Sequence, residues 1–271
     1  MELRTILVDM DVEGYSAELL QVAIDLASRF DARIAAVAAA SLQFTSVSPE
    51  ALMVEAELYE SRRNELEDRL ASLEADFHRA VPERMRGNCV TLLDTPTSVV
   101  ARAARKADLI LTQTTVRGAA HSLDVGDVLL TTGRPVLIVG NGNALIKSQA
   151  ILVAWKESRE ARRAVVDALP LLKRASSVAL VTIHEGGDRF AERDALNDAE
   201  AWLKSHDVKV ESAIHAPRGS YSETLSVLAR DAGAGLVVAG AYGHGRLREW
   251  ILGGATQELL AASALNRFMS N

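Results

Sequence analysis

The chain has 271 residues, 48% of them hydrophobic and 24% charged, which is typical of a globular protein with one large or two ordinary domains. Its formal net charge of -6 argues against nucleic acid as a partner, because nonspecific binding requires a basic surface. The single cysteine, Cys89, excludes an internal disulfide, and we expect it to be a small buried residue. No apolar stretch is long enough to span a bilayer, and the N-terminus lacks a secretory signal pattern, so we expect no membrane partner and a cytoplasmic location.

Apolar runs alternate between strand and helix patterns in both halves of the chain. The first half is predicted to contain, in chain order, a strand at 6–8, a helix at 16–30, a strand at 33–39, a long charged helix at 48–79, a strand at 89–93, a helix at 97–106, and strands at 109–112 and 134–139. The second half repeats this order with a strand at 151–153, a helix at 159–173, a strand at 177–183, a helix at 191–206, a strand at 209–214, a helix at 222–232 and a strand at 236–239. Residues 264–269, where a closing strand is expected, form a poor strand pattern.

This alternation predicts an α/β fold with parallel sheets covered by helices on both faces. The polar stretch at 140–149 separates the two repeats. We therefore predict two tandem domains, at residues 1–145 and 146–271. The long helix at 48–79 is interpreted as an amphipathic cover helix, because its heptad pattern is not sustained as in a coiled coil.

A glycine-rich segment at 240–256 is the best candidate for a ligand site. Gly240 and Gly243 directly follow the apolar strand at 236–239, and a second glycine pair stands at Gly253 and Gly254. Glycines between a strand and a helix let backbone N–H groups approach an anion such as phosphate.

The spacing of Gly240, Gly243 and Gly253 resembles the signature of the universal stress protein family, and the chain resembles its tandem two-domain form over essentially its whole length. The resemblance implies two Rossmann-like domains of the adenine nucleotide alpha hydrolase-like type, each with a five-stranded parallel sheet flanked by helices. It also implies an adenine nucleotide as the ligand, ATP or AMP, possible Mg²⁺, and pairing through edge strands as a homodimer or an internal pseudo-dimer. The nucleotide-binding residues it implies are Ala154, Lys156, Ile183, Ala239, Gly240, Tyr242, Gly243, Arg246, Gly253, Gly254 and Ala255.

Two residues depart from the family pattern. Gly254 stands in place of a serine or threonine, so a phosphate-binding hydroxyl is missing while the N–H remains. Lys156 stands where ATP-binding members have an aspartate, and lysine cannot accept a hydrogen bond. We expect Lys156 either to pair with a phosphate or to be a solvated or salt-bridged surface residue.

The first half has the complementary pattern. Asp11 stands at the family's aspartate position with Asp9 nearby, but residues 114–120 lack the glycine spacing and Gly126 is followed by Asp127. We therefore expect the first half to be a degenerate nucleotide site. Asp9 and Asp11 are interpreted as exposed turn residues, with a magnesium role as the alternative.

The remaining polar and aromatic residues do not define a catalytic site. His244, Arg246 and Arg248 either contact phosphate or are solvated loop residues, and we expect Trp155 and Trp250 to pack rather than to stack on a base. The six histidines show no paired ligand spacing, so no zinc site is expected. No catalytic nucleophile can be assigned.

The resulting functional hypothesis is a stress-response regulator that binds an adenine nucleotide in its second half with little or no hydrolysis. An interaction scaffold without a nucleotide is the first alternative. A weak ATP hydrolase, or a relative of the adenylating α-hydrolases, is the second.

Overall fold

The structure, a computed structural model, describes residues 2–13, 17–42, 52–113, 121–140, 149–242, 254–260 and 264–271. Side chains are described in these ranges except at 52–57, 254, 255 and 257. Contacts divide the chain into two units, a first unit of Arg4–Thr132 and a second unit of Gly133–Asn271 together with Met1–Leu3.

The described part of the first unit is built on four parallel strands flanked by helices. Its elements are β1 (Thr5–Asp9), α1 (Ala17–Phe30), β2 (Arg33–Ala39), α2 (Leu52–Ala80), β3 (Arg86–Leu92), α3 (Pro96–Ala103), β4 (Leu109–Gln113) and α4 (Val125–Thr132), with short 3-10 helices at Glu83–Met85 and Ala104–Lys106. The strands lie in the order β3-β2-β1-β4, and each neighbouring pair is parallel. The predicted α/β pattern is confirmed, although β3 begins earlier than expected.

Six strands lie in the described residues of the second unit. Its elements are β5 (Val136–Val139), β6 (Ala150–Ala154), α5 (Arg159–Leu172), β7 (Ser177–Ile183), α6 (Arg189–Ser205), β8 (Val210–His215), α7 (Tyr221–Asp231), β9 (Ala234–Gly240), α8 (Gly254–Leu260) and β10 (Asn266–Ser270). The strands lie in the order β5-β10-β9-β6-β7-β8. All neighbouring pairs are parallel except β10 with β5, which are antiparallel.

Strand β10 corrects the expectation of a poor strand at 264–269. Asn266 is 1% exposed, and its side chain accepts a hydrogen bond from the Gly140 N–H at 3.0 Å and donates one to the Gly235 carbonyl at 2.8 Å. The buried guanidinium of Arg267 donates to the Leu259 carbonyl at 2.5 Å. Polar residues with low strand propensity are accommodated here because the surrounding backbone supplies their partners.

The pairing of β5 also differs from the expected two five-stranded parallel sheets. In sequence β5 closes the first repeat, but in the structure it belongs to the second unit. Leu137 on β5 lies opposite Phe268 on β10, so the fifth strands of the two repeats pair with each other. The predicted boundary between residues 145 and 146 follows the repeat, whereas contacts divide the chain at Gly133.

Three helices of the second unit, α5, α6 and α7, begin at defined caps. The Ser158 side chain accepts the Ala161 N–H at the start of α5, and Asp188 accepts the Phe190 N–H at the start of α6. Ser220 and Glu223 form a capping box at the start of α7. Each of these helices begins within six residues of the end of the preceding strand.

Among the helices that the structure describes, none is both long and apolar enough to cross a bilayer.

Cys89 is less buried than the sequence suggested. It lies on β3, the outer strand of the first unit, and its neighbour Val90 is 40% exposed. Partial burial, and to a smaller extent the charge of Glu74, raise the pKa of the Cys89 thiol to about 12. The thiol is therefore protonated at neutral pH and is a weak nucleophile.

Candidate functional site

The carboxyl ends of β6, β7 and β9 form the candidate site in the second unit. β6 lies between the other two strands, and Ala154 at its end is in register with Ala239 on β9 and with Val181 on β7. The chain leaves β6 towards β7 and returns on the other side at β9, so this edge is a topological switch point, where ligands of open α/β sheets bind. Four predicted site residues, Ala154, Ile183, Ala239 and Gly240, end their strands here.

Gly240 is required by packing. A Cβ atom at this position would lie 2.6 Å from the backbone nitrogen of Ala161 and from the carbonyl carbon of Glu160, at the start of α5. A side chain would therefore force the helix away from the strand. The glycine allows the first turn of α5 to lie directly against the end of β9.

Tyr242 has an unusual backbone conformation at the beginning of the glycine loop. Its φ angle is +63°, in the left-handed region that non-glycine residues seldom adopt. Its N–H donates to the Thr256 hydroxyl in α8 at 3.1 Å, and Thr256 is 6% exposed. This bond ties Tyr242, near the start of the glycine segment, to helix α8.

Lys156 lies just beyond β6 and forms an ion pair. Its Nζ is 3.1 Å from Oε2 of Glu185, which lies just beyond β7, and both side chains are about half exposed. In the structure Lys156 is therefore a salt-bridged surface residue, which was one of the two alternatives expected from the sequence.

Glu185 also influences Tyr221, the first residue of α7. The pKa of the Tyr221 hydroxyl is raised to about 12, mainly by burial and additionally by the negative charge of Glu185. Lys156, Glu185 and Tyr221 therefore form a polar group at the same edge of the sheet as Gly240.

Several predicted site residues lie outside the described part of the chain. These are Gly243 and Arg246, together with Gly253 and the neighbouring His244, Arg248 and Trp250. Gly254 and Ala255 lie in the first turn of α8, and their side chains are not described.

Trp155 has a structural environment that agrees with the expected packing role. The residue is 7% exposed. Its backbone N–H donates a hydrogen bond to the Val181 carbonyl at 2.7 Å, and its backbone carbonyl accepts one from the Thr182 hydroxyl at 3.1 Å. These bonds fix the end of β6 to β7.

Within the described ranges, no group of three or more His, Cys, Asp or Glu side chains is arranged to hold a metal ion.

The corresponding edge of the first unit carries buried acids. The Met10 N–H donates to the Val37 carbonyl at 2.8 Å, as Trp155 does to Val181, so Asp9 and Asp11 occupy the places of Ala154 and Lys156. The two aspartates are 3% and 4% exposed. The expectation that they are exposed turn residues is therefore wrong.

Hydrogen bonds to both carboxylates account for the burial of these acids. The Thr112 hydroxyl donates to Asp9 at 2.8 Å, while the Ser122 hydroxyl and the Glu13 N–H donate to Asp11 at 3.0 and 2.8 Å. The pKa of Asp9 is raised to about 7, chiefly because burial disfavours its charged form, with a smaller contribution from Asp11; the Thr112 hydrogen bond opposes the shift.

Sequence reasoning missed three residues that shape the two edges. Glu185 gave no motif signal, although it follows the second strand of a β-α-β unit, where acidic residues bind ribose in dinucleotide folds. Thr256 follows the second glycine pair at a short distance, but its contact with Tyr242 depends on how the loop closes. Thr112 is the last residue of the predicted strand at 109–112, and nothing in the sequence indicates its hydrogen bond to Asp9.

Comparison with known proteins supports the predicted fold. No protein-family model matches the sequence, and no curated protein matches it. Among solved structures, a universal stress protein from Archaeoglobus fulgidus DSM 4304 is similar over 100% of this chain and 97% of its own, with a TM-score of 0.66 and 18% identity. A functionally unknown protein from Pseudomonas aeruginosa PAO1 is similar over 99% of this chain and 92% of its own, with a TM-score of 0.57 and 13% identity. Over its whole length, the chain has the fold of the universal stress proteins.

Proposed function

We propose that the second unit binds an adenine nucleotide, ATP or AMP, and that the protein acts as a nucleotide-responsive regulator in a stress response. The observation that carries this proposal is the backbone at Gly240–Tyr242. It leaves β9 at the switch point, enters the left-handed region at Tyr242 and is tied to Thr256 of α8. A backbone held in a strained conformation at such an edge is a common property of binding loops.

The phosphates are proposed to lie at the glycine segment. Gly240 lets the first turn of α5 lie against the end of β9, and α8 begins at Gly254. The sequence between them supplies Gly243, Arg246 and Gly253. Backbone N–H groups in such a segment bind phosphate oxygens without a hydroxyl side chain, so Gly254 is compatible with the proposal.

We propose binding with little or no hydrolysis. Hydrolysis requires a positioned base or metal ion to activate water. Among the described residues at this edge, the carboxylate of Glu185 is engaged by Lys156, and its phenolic neighbour Tyr221 has a raised pKa. A phenol with a raised pKa stays protonated at neutral pH and cannot accept a proton from water, and the Glu185 carboxylate is already paired with Lys156, which favours a sensing or storage role.

The proposal is tested by calorimetric titration of the full chain with ATP and AMP in the presence of Mg²⁺, together with mass spectrometry of nucleotide released on denaturation. Thr256→Val removes the hydroxyl that accepts the Tyr242 N–H but preserves side-chain volume. We expect it to weaken ATP binding roughly tenfold, because the loop loses one hydrogen bond that fixes its shape. Thr131→Val is the matched control, since its hydroxyl bonds to the Asp127 carbonyl in the first unit.

An interaction scaffold is the second candidate function. It is favoured by the ion pair of Lys156 with Glu185, which occupies the position of the aspartate that the family resemblance implies. No heat and no thermal shift at millimolar nucleotide, with no released nucleotide, would support the scaffold and contradict nucleotide binding.

A further inference from the structure

We propose that Glu185 is the ribose-recognition residue of the second unit, with Lys156 as its positioning residue, so that the site selects a ligand carrying ribose hydroxyls over a free polyphosphate. This inference deepens the proposed nucleotide site and depends on it. Its basis is the position of the Lys156–Glu185 pair at the ends of β6 and β7, beside the start of the glycine segment.

Strand order determines where a nucleotide would lie. β9, β6 and β7 are consecutive neighbours, about 4.8 Å apart. A nucleotide with its phosphates at the end of β9 would cross the end of β6 and present its ribose towards β7. Glu185 follows Ile183, the last residue of β7, which is the second strand of the β6-α5-β7 unit. In dinucleotide-binding folds an acidic residue near the end of the second strand of such a unit binds the ribose hydroxyls.

The chemistry of the two side chains assigns their roles. Ribose hydroxyls need an acceptor, and lysine has none, whereas a carboxylate has two oxygens with about four acceptor sites. Lys156 contacts Oε2 of Glu185 at 3.1 Å, so acceptor capacity remains on the same carboxylate. The side chain of Glu185 is 51% exposed, which leaves it accessible to a ligand.

The surroundings hold Glu185 in place. The neighbouring residue His184 donates its backbone N–H to the His215 carbonyl at 2.8 Å, and its ring lies 2.7 Å from a carboxylate oxygen of Glu192 in α6. These bonds fix the chain immediately before Glu185. The positive charge of Lys156 also offsets the repulsion between a carboxylate and nearby phosphates.

The test compares ATP with 2′,3′-dideoxy-ATP, which keeps the base and the triphosphate but lacks both hydroxyls. Calorimetric titration of the full chain should show about tenfold tighter binding of ATP by the wild type, the effect of losing a hydrogen bond to a charged acceptor. Glu185→Met should bind ATP as weakly as it binds the dideoxy analogue, and its affinity for the analogue should equal that of the wild type.

Variants of Lys156 test the positioning role. Lys156→Met should lower the ratio of ATP to dideoxy-ATP affinity, and Lys156→Arg should restore it by keeping the ion pair. Asp231→Leu is the control, because Asp231 pairs with Arg218 at 3.4 Å on a similarly exposed surface of the same unit. The control should leave the ratio unchanged, and unfolding midpoints should show that every variant folds.

The outcomes separate this inference from the proposed function. Equal wild-type affinity for ATP and dideoxy-ATP, equally tight binding of inorganic triphosphate, or full discrimination in Glu185→Met would overturn ribose recognition while leaving phosphate binding intact. If the wild type binds neither nucleotide, both proposals fail.

Discussion

Burial gives Asp9 a protonation behaviour that an exposed aspartate lacks. Its pKa is about 7 in the folded chain, against 3.8 for the ordinary group. Between these values the folded state keeps a proton that the unfolded state has released, so the stability contributed by Asp9 is greatest below pH 4 and is lost as pH rises to 7. The contribution of Asp9 to the free energy of unfolding of the first unit is therefore expected to be largest on the acidic side of neutrality.

Asp9→Asn should remove this pH dependence. Asparagine keeps the size of the side chain and an acceptor for the Thr112 hydroxyl, but it cannot ionise. Since one pKa unit corresponds to about 1.36 kcal/mol, we expect the variant to exceed the wild type in free energy of unfolding by about 2–4 kcal/mol at pH 8 and by almost nothing at pH 4. Urea unfolding at both pH values measures the difference.

The control for this prediction is a partly exposed acid in the same unit. Asp25 pairs with Arg29 on the surface of α1 at 2.7 Å, and Asp25→Asn should change stability by less than about 1 kcal/mol at either pH. An Asp9→Asn effect that is the same at pH 4 and pH 8 would show that Asp9 is not protonated by burial.

Sequence reasoning found the positions of these residues but not their environment. The ends of β1 and β6 were evident from short apolar runs, and the family resemblance placed Asp11 and Lys156 at equivalent positions. The burial of Asp9 and Asp11 depends on Thr112 and Ser122, which are 103 and 111 residues away in the chain. Partners at such separations leave no periodic signal, and Glu185 escaped prediction for a related reason: its contact with Lys156 joins the ends of two different strands.

Among the elements, those with local patterns were predictable and β10 was not. Helices such as α1 and α5 have apolar residues at helical spacing, and inner strands such as β9 are short apolar runs. β10 contains Asn266 and Arg267, whose hydrogen bonds reach backbone groups on three other segments of the unit. Its strand conformation is therefore imposed by tertiary contacts.

A buried hydrogen bond between α5 and β10 tests how firmly that strand is held. Asp167, 2% exposed, accepts the Ser270 hydroxyl at 2.6 Å and the Arg163 Nε–H at 2.8 Å. We expect Asp167→Ala to lower the free energy of unfolding by about 1–3 kcal/mol, because it leaves the Ser270 hydroxyl buried without its acceptor. Chemical denaturation provides the measurement.

A double-mutant cycle isolates this contact from simple loss of volume. Ser270→Ala together with Asp167→Ala should be less destabilising than the sum of the two single changes, with a coupling of about 1 kcal/mol or more. Strict additivity would mean that the hydrogen bond does not hold β10 to α5.

At the scale of the whole molecule, the sequence repeat and the structural units divide the chain at different places. The repeat ends after β5, but β5 pairs with β10 and belongs to the second unit. Three backbone pairs join them, from Val136–Met269 to Ile138–Arg267. β5 thereby covers an edge of β10 that would otherwise present unpaired N–H and C=O groups.

Two fragments test whether β5 is a necessary part of the second unit. A fragment of residues 133–271 retains β5, and a fragment of residues 146–271 begins at the repeat boundary and lacks it. We expect the shorter fragment to unfold at a lower temperature than the longer one, because it loses the pairing of β5 with β10. Thermal unfolding measures the difference, with light scattering to record the oligomeric state of each fragment. If the two fragments were equally stable, β5 would be dispensable to the second unit, and residues 146–271 would be sufficient as an independent domain.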